Sequence, residues 1–179
     1  MGKKLVSIIM CIMLGAALVG CGSDKGSKDS SKENDTAEID KDFSIEMTDS
    51  FTYKDPEDLD FNQRYVLVGD ESCKLLSDMK GFGYTATKVY DIMYGKDGKP
   101  VAEYNYFIAP DETSAADLAE FYSSQGQNVM QEGTIVYAVS EGDTVEAAIA
   151  AFAAGGTLSE ETLEAYVEMM KSYNGLTEY

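Results

Sequence analysis

Apolar and polar positions alternate with two different periods along this chain, and the changes of period mark out its elements. A near-continuous apolar run covers residues 5–19, followed by a stretch, 22–42, with a single large apolar residue, Ile39. Phe43, Ile45 and Met47 then alternate with polar neighbours, which predicts a short strand, and Asp55-Pro56-Glu57-Asp58 marks a turn. Beyond it the pattern predicts a strand over 64–68, a helix over 71–80 ended by Gly81, and β-rich runs over 84–94 and 100–109. Those two runs flank Lys96-Asp97-Gly98-Lys99, the clearest hairpin signal in the chain. A helix over 112–124 carries Ala115, Leu118, Ala119 and Tyr122 on one stripe and stops at Gly126. A second hairpin, 127–131 and 134–140, turns at Glu132-Gly133, and an Ala-rich helix over 144–154 ends at Gly155-Gly156. Thr157-Leu158-Ser159-Glu160 is a capping box that predicts the start of a last helix, with Leu163, Tyr166, Val167 and Met170 on its buried face.

From residue 64 to 131 the order is β-α-β-β-α-β, which admits the ferredoxin-like split arrangement, followed by one more strand and two helices. The expected fold is α+β with a mainly antiparallel sheet, in one domain over residues 43–179. Segments beginning at Tyr65, Tyr106 and Tyr137 each run an apolar strand into an acidic helix start, and the last two also share Ala116/Ala147, Ala119/Ala150 and Phe121/Phe152. Duplication of a hairpin-plus-helix unit would produce this. So would convergence on what helix N-termini favour.

The N-terminal run has the grammar of a signal peptide: Lys3 and Lys4 precede an apolar stretch shorter than the ~20 residues a membrane-spanning helix needs. Its end, Leu18-Val19-Gly20-Cys21, resembles the lipobox of bacterial lipoproteins. The resemblance covers residues 1–21 only. It implies that 1–20 are removed and that the Cys21 thiol takes a diacylglycerol through a thioether, whose two acyl chains, palmitate for example, hold the protein stably. Residues 21–42 would then be the lipidated Cys and a tether of about 25 Å r.m.s. span. The resemblance places the domain on the extracytoplasmic face of a cell membrane, in a layout typical of Gram-positive envelopes, with the membrane, through the lipid, as first partner.

Charge and cysteine count narrow the chemistry. The formal net charge is −18, and losing residues 1–20 removes Lys3 and Lys4 and no acid, taking it to −20. Such a surface repels phosphate backbones, so nucleic acid is not an expected partner. Of three cysteines, Cys11 leaves with the leader and Cys21 takes lipid, so Cys73 has no disulfide mate and is expected as a small buried residue in the first turn of a helix. There is no His, which removes Ser-His-Asp and Cys-His arrangements and the commonest zinc ligand. Ser77-Asp78-Met79-Lys80 matches S-x-x-K without its companion motifs, and Gly81-Phe82-Gly83-Tyr84-Thr85-Ala86 follows a helix and enters a strand, the reverse of a dinucleotide fingerprint. Asp49, Asp55, Glu57, Asp58 and Asp60 crowd one loop but lack the spacing of a calcium-binding EF-hand. No catalytic residue, metal or cofactor is assigned.

Two function classes follow. One is a binding or interaction module at the cell envelope, for a protein, peptide or saccharide. The other is a small envelope enzyme that uses carboxylates, tyrosines or a metal. For the binding module the hairpin supplies a candidate surface. A two-residue turn at Asp97 and Gly98 would set Val89 opposite Tyr106, Met93 opposite Ala102 and Tyr94 opposite Val101. One face would then be core, and the other would gather Tyr90, Tyr94, Glu103, Asn105 and Phe107, aromatic rings with a few polar groups, as a ligand-binding surface. That face is open if the helices lie on the other side, and covered if the two C-terminal helices fold over it.

Overall fold

The computed structural model describes residues 55–179, in which a six-stranded antiparallel sheet packs against four helices. The strands are β1 (Gln63–Asp70), β2 (Lys88–Lys96), β3 (Lys99–Ile108), β4 (Asn128–Glu132), β5 (Ile135–Glu141) and β6 (Thr177–Glu178). The helices are α1 (Lys74–Gly81), α2 (Glu112–Ser124), α3 (Asp143–Ala154) and α4 (Leu163–Ser172). The α+β class with an antiparallel sheet is therefore the fold. The lipobox, the tether and the strand expected near Phe43 lie outside the described residues.

Strand order is β4-β5-β3-β2-β1-β6. A split ferredoxin-like unit would place another strand between β1 and β2; here the two are antiparallel neighbours, paired from Gln63 opposite Gly95 to Asp70 opposite Lys88. With β3 and β5 they make an antiparallel run in which each strand lies beside the one before it along the sheet. The C-terminal β6, two residues long, adds to β1 through Leu67 and Val68. Two residues of strand leave no period to read.

All four helices contribute to one core on one face of the sheet. Leu76 and Met79 of α1, Leu118 of α2, Ile149 and Phe152 of α3, and Leu163 and Val167 of α4 pack with Leu67, Val89, Met93, Phe107 and Val136 from the strands. The opposite face is a second apolar layer of Tyr90, Ile92, Tyr94, Tyr104, Tyr106 and Tyr137. Its rings meet edge to face: Tyr94 and Tyr104 at 5.3 Å, Tyr106 and Tyr137 at 5.2 Å. Phe61 packs on Tyr94 at 4.8 Å and Tyr179 on Tyr90 at 5.5 Å. The C-terminal helices thus lie on the side away from Tyr90 and Tyr94, yet both tyrosines are buried.

Local chemistry explains where the elements begin. Helix α1 starts later than its apolar pattern suggests, because Asp70 first closes a turn with Ser72 and Cys73 caps the helix, its Sγ accepting from the Leu76 N–H at 3.5 Å. Cys73 is buried as expected, but as the cap. Helix α4 begins at Leu163, capped by Thr162, whose side chain accepts from the Ala165 N–H at 3.2 Å. Thr157 does not open that helix. Its N–H bonds back to the Phe152 carbonyl and closes α3 instead, while buried Leu158 anchors the connection.

The β2–β3 turn is at Asp97 and Gly98, with φ of 51° and 82°, the left-handed pair that a two-residue type I′ turn requires. Lys96 faces Lys99 and Gly95 faces Pro100, but Tyr94 then faces Ala102. Val101 is the extra residue of a bulge. One inserted residue moves every later side chain of β3 to the other face.

Candidate functional site

The bulge decides which residues can work together. Beyond it Met93 faces Glu103, Asp91 faces Asn105 and Val89 faces Phe107, so Glu103, Asn105 and Phe107 point toward the helices. Tyr90, Ile92 and Tyr94 share the other face with Tyr104 and Tyr106. The five-residue surface expected from the hairpin is therefore divided by the sheet: Tyr90 and Tyr94 on one side, Glu103, Asn105 and Phe107 on the other. All five are buried, Asn105 and Glu103 at 7% exposure each.

On the helix side, Glu103, Asn105 and Phe107 form the floor of a cavity of about 310 Å3. Ser140 of β5 lies beside them, Tyr122 of α2 and Tyr166 and Met170 of α4 make the walls, and Leu75 comes from α1. Gln125, Gly126 and Gln127 after α2, with Asp143, Thr144, Ala147 and Ala148 of α3, form the rim. Gly126, Asp143 and Ala147 are exposed, so the cavity opens between the end of α2 and the start of α3. Its volume is at the lower end of the range for small-molecule sites, about 300–1,000 Å3.

The floor is electrostatically unusual. The Tyr166 hydroxyl donates to both oxygens of Glu103, at 3.1 and 3.0 Å. Burial pushes the Glu103 carboxyl above its ordinary range, against the hydrogen bonds from Tyr166 and Asn105, which pull it down. Behind it, Asp91 is 0% exposed and neither of its oxygens has a hydrogen-bond partner among the described residues. Burial first, and the nearby Glu103 second, push the Asp91 carboxyl well above the usual carboxylate range. Both phenols are pushed up as well, chiefly by burial and then by Glu103 and Asp91. Among the described residues no Lys or Arg lines the cavity. Gln127 adds a buried side-chain oxygen without a partner among the described residues.

The acid-rich loop is used differently. Asp55 pairs with Arg64 and accepts from the Tyr94 hydroxyl at 3.0 Å, and Asp60 pairs with Lys96, so these two acids tie the loop to the strand ends, while Asp49 lies outside the described residues. Among the described residues no three of His, Cys, Asp and Glu are grouped as metal ligands. No described helix is long and apolar enough to cross a membrane.

Asp91, Tyr122, Ser140 and Tyr166 were absent from the surface expected from sequence. Asp91 carried a signal, an acid inside an otherwise apolar strand. The bulge carried another in Pro100, since proline within a central strand is confined to its first residues or to a bulge. No family model matches the chain, and neither a curated protein nor a solved structure matches it.

Proposed function

We propose that this chain is an extracytoplasmic lipoprotein, held on the cell membrane through lipid on Cys21, whose folded domain is a binding module for a small organic ligand. The observation that carries the binding reading is the cavity over Glu103, walled by Tyr122 and Tyr166 and opening between α2 and α3. A purely structural polar core would be closed and its groups paired, because an unpartnered buried polar group costs roughly 1–3 kcal/mol. Here the space is open and acceptors remain unpaired. Anchoring is supported by the lipobox resemblance.

The test is a thermal-shift and ligand-observed NMR screen of small amines, alcohols, acids and sugars against the full-length chain in detergent. Ala148 is half-buried at the rim, so Ala148→Leu fills the mouth without touching the polar floor. Ligands that bind the wild-type chain and lose binding to Ala148→Leu support the reading. An empty screen, or binding unchanged in that variant, refutes it. Anchoring is tested separately: Cys21→Ser should leave a larger, unlipidated precursor, and maturation to the same N-terminus with detergent partitioning would refute it.

A further inference from the structure

Resting on the reading of the cavity as a ligand site, we infer that its ligand is a small protonated amine whose ammonium group sits on Glu103 and whose body lies against Phe107, Tyr122 and Tyr166. Hydrogen-bond stoichiometry supplies the first argument. An ionised carboxylate offers about four acceptor positions, and Tyr166 spans the two Glu103 oxygens with one O–H. The buried Gln127 oxygen is a further acceptor without a partner among the described residues, and Asp143 adds a carboxylate at the rim. The other side-chain donors that line the cavity, the hydroxyls of Tyr122, Ser140 and Thr144 and the amides of Asn105, Gln125 and Gln127, are all neutral; an ammonium group supplies three donors together with the charge that Glu103 calls for.

Charge supplies the second argument. Among the described residues the lining holds two carboxylates and no cationic side chain, and a buried negative charge is costly until it is paired. An anionic ligand would meet Glu103 with nothing to offset it. Helix α3 does point its N-terminus at the rim, but its first turn carries Asp143 and Glu146, two full charges where the helix dipole supplies about half of one. Shape is the third argument. Phe107 and Tyr122 stack at 4.9 Å and, with Tyr166, enclose the floor in ring surface of the kind that attracts organic cations.

The same site then has a pH signature. Glu103 and Asp91 are faced by Tyr166 from α4, Tyr122 from α2 and Asp143 from α3, while β1 and α1 bring the uncharged Leu67 and Leu75. Among the described residues no base competes for the pair. An ammonium pairs with the ionised form of Glu103, so at low pH its arrival must release the one proton that Glu103 then holds, and binding strengthens as pH rises, up to the amine's own pKa, near 10 for an aliphatic amine.

The experiment is calorimetric titration of the full-length chain in detergent with three probes of one shape: 2-phenylethylamine, 2-phenylethanol and phenylacetate. The amine should bind at least about tenfold tighter than the alcohol, the acid weakest, and the amine should bind more weakly at pH 5 than at pH 8. Glu103→Gln should reduce the amine to the affinity of the alcohol and spare the alcohol. An alcohol or acid that matches the amine overturns the inference while leaving the cavity a ligand site. Absence of binding by all three overturns it too, and the broader screen then decides the reading beneath it. Amine preference that survives Glu103→Gln overturns the role of that carboxylate, and if the variant unfolds, the wild-type comparison of the three probes decides.

Discussion

The Tyr166 hydroxyl on α4 and the Glu103 carboxylate on β3 are joined by a two-oxygen hydrogen bond, at 3.1 and 3.0 Å, between side chains no more than 7% exposed. One phenol thereby ties the last helix to the middle of the sheet. With Asn105, it supplies the hydrogen bonds that stabilise the ionised form of this buried carboxylate.

Tyr166→Phe keeps the ring and removes that donor. The Glu103 carboxyl should move further up, and the domain should lose on the order of 1–3 kcal/mol at neutral pH, the cost of a charged hydrogen bond left half made. The loss should shrink in acid, where Glu103 is protonated. Urea denaturation of both proteins at pH 5 and pH 8 checks it. An equal loss at both values would mean that the hydroxyl acts only through packing.

Asp91 gives the opposite sign. Its folded pKa lies above the unfolded value of about 3.9, so the chain gives up this proton more readily when unfolded. The contribution of Asp91 to stability is complete below that unfolded value and is lost as pH rises toward the raised folded one. Asp91→Asn removes the ionisation at almost no change in volume. It should raise the melting temperature at pH 8 by several degrees and flatten the fall between pH 4 and 8. A variant less stable than wild type at pH 8, as scanning calorimetry would read it, would show that Asp91 is held ionised by a partner.

Legibility in the sequence followed the length of each repeating signal. The helix over Glu112–Ser124 and the turn at Asp97-Gly98 are where their residues predict them, because Asp111 caps the first and Asp97 and Gly98 can both take positive φ. The site was not legible to the same degree. Its floor depends on Val101 being skipped in the pairing, and a turn-based count has no place for a skipped residue. Matching side chains across the hairpin would have found it: the observed register sets Tyr90 against Tyr106 and Asp91 against Asn105, where the unbulged one sets Tyr90 against Asn105. The third dimension of the cavity comes from α2, α3 and α4, whose apolar stripes announce that they pack but not on which face.

Tyr90 and Tyr94, offered by the sequence as part of a ligand-binding face that could be open or covered, now serve as a test of the second layer. Tyr94 is 0% exposed, bonded through its hydroxyl to Asp55 and flanked by Phe61 and Tyr104. Tyr94→Ala should cost roughly 3–5 kcal/mol, as large core truncations do, and the Tyr90→Ala/Tyr94→Ala double variant should be largely unfolded at room temperature. A double variant with the wild-type far-UV and near-UV circular dichroism would show that this face contributes little to stability.

Gly95 sits beside the bulge, and its conformation is not what demands glycine. A Cβ added there would lie 2.4 Å from Leu163 Cδ2 and 3.0 Å from the Lys99 carbonyl oxygen. Leu163 is 1% exposed and opens α4, with its N–H bonded to the Gly98 carbonyl at 2.8 Å. The close approach of strand and helix therefore fixes where α4 begins and, three residues on, where Tyr166 reaches Glu103. Gly95→Ala should destabilise by about 1–3 kcal/mol through overpacking. Leu163→Ala alone should cost about 2–5 kcal/mol by leaving a cavity. Together the two should cost less than their sum, because the truncated leucine makes room for the new methyl; a coupling of about 0.5–3 kcal/mol in a double-mutant cycle is expected. Simple additivity would mean that the strand absorbs the methyl without moving α4. The position of Tyr166 would then be set elsewhere in the helix.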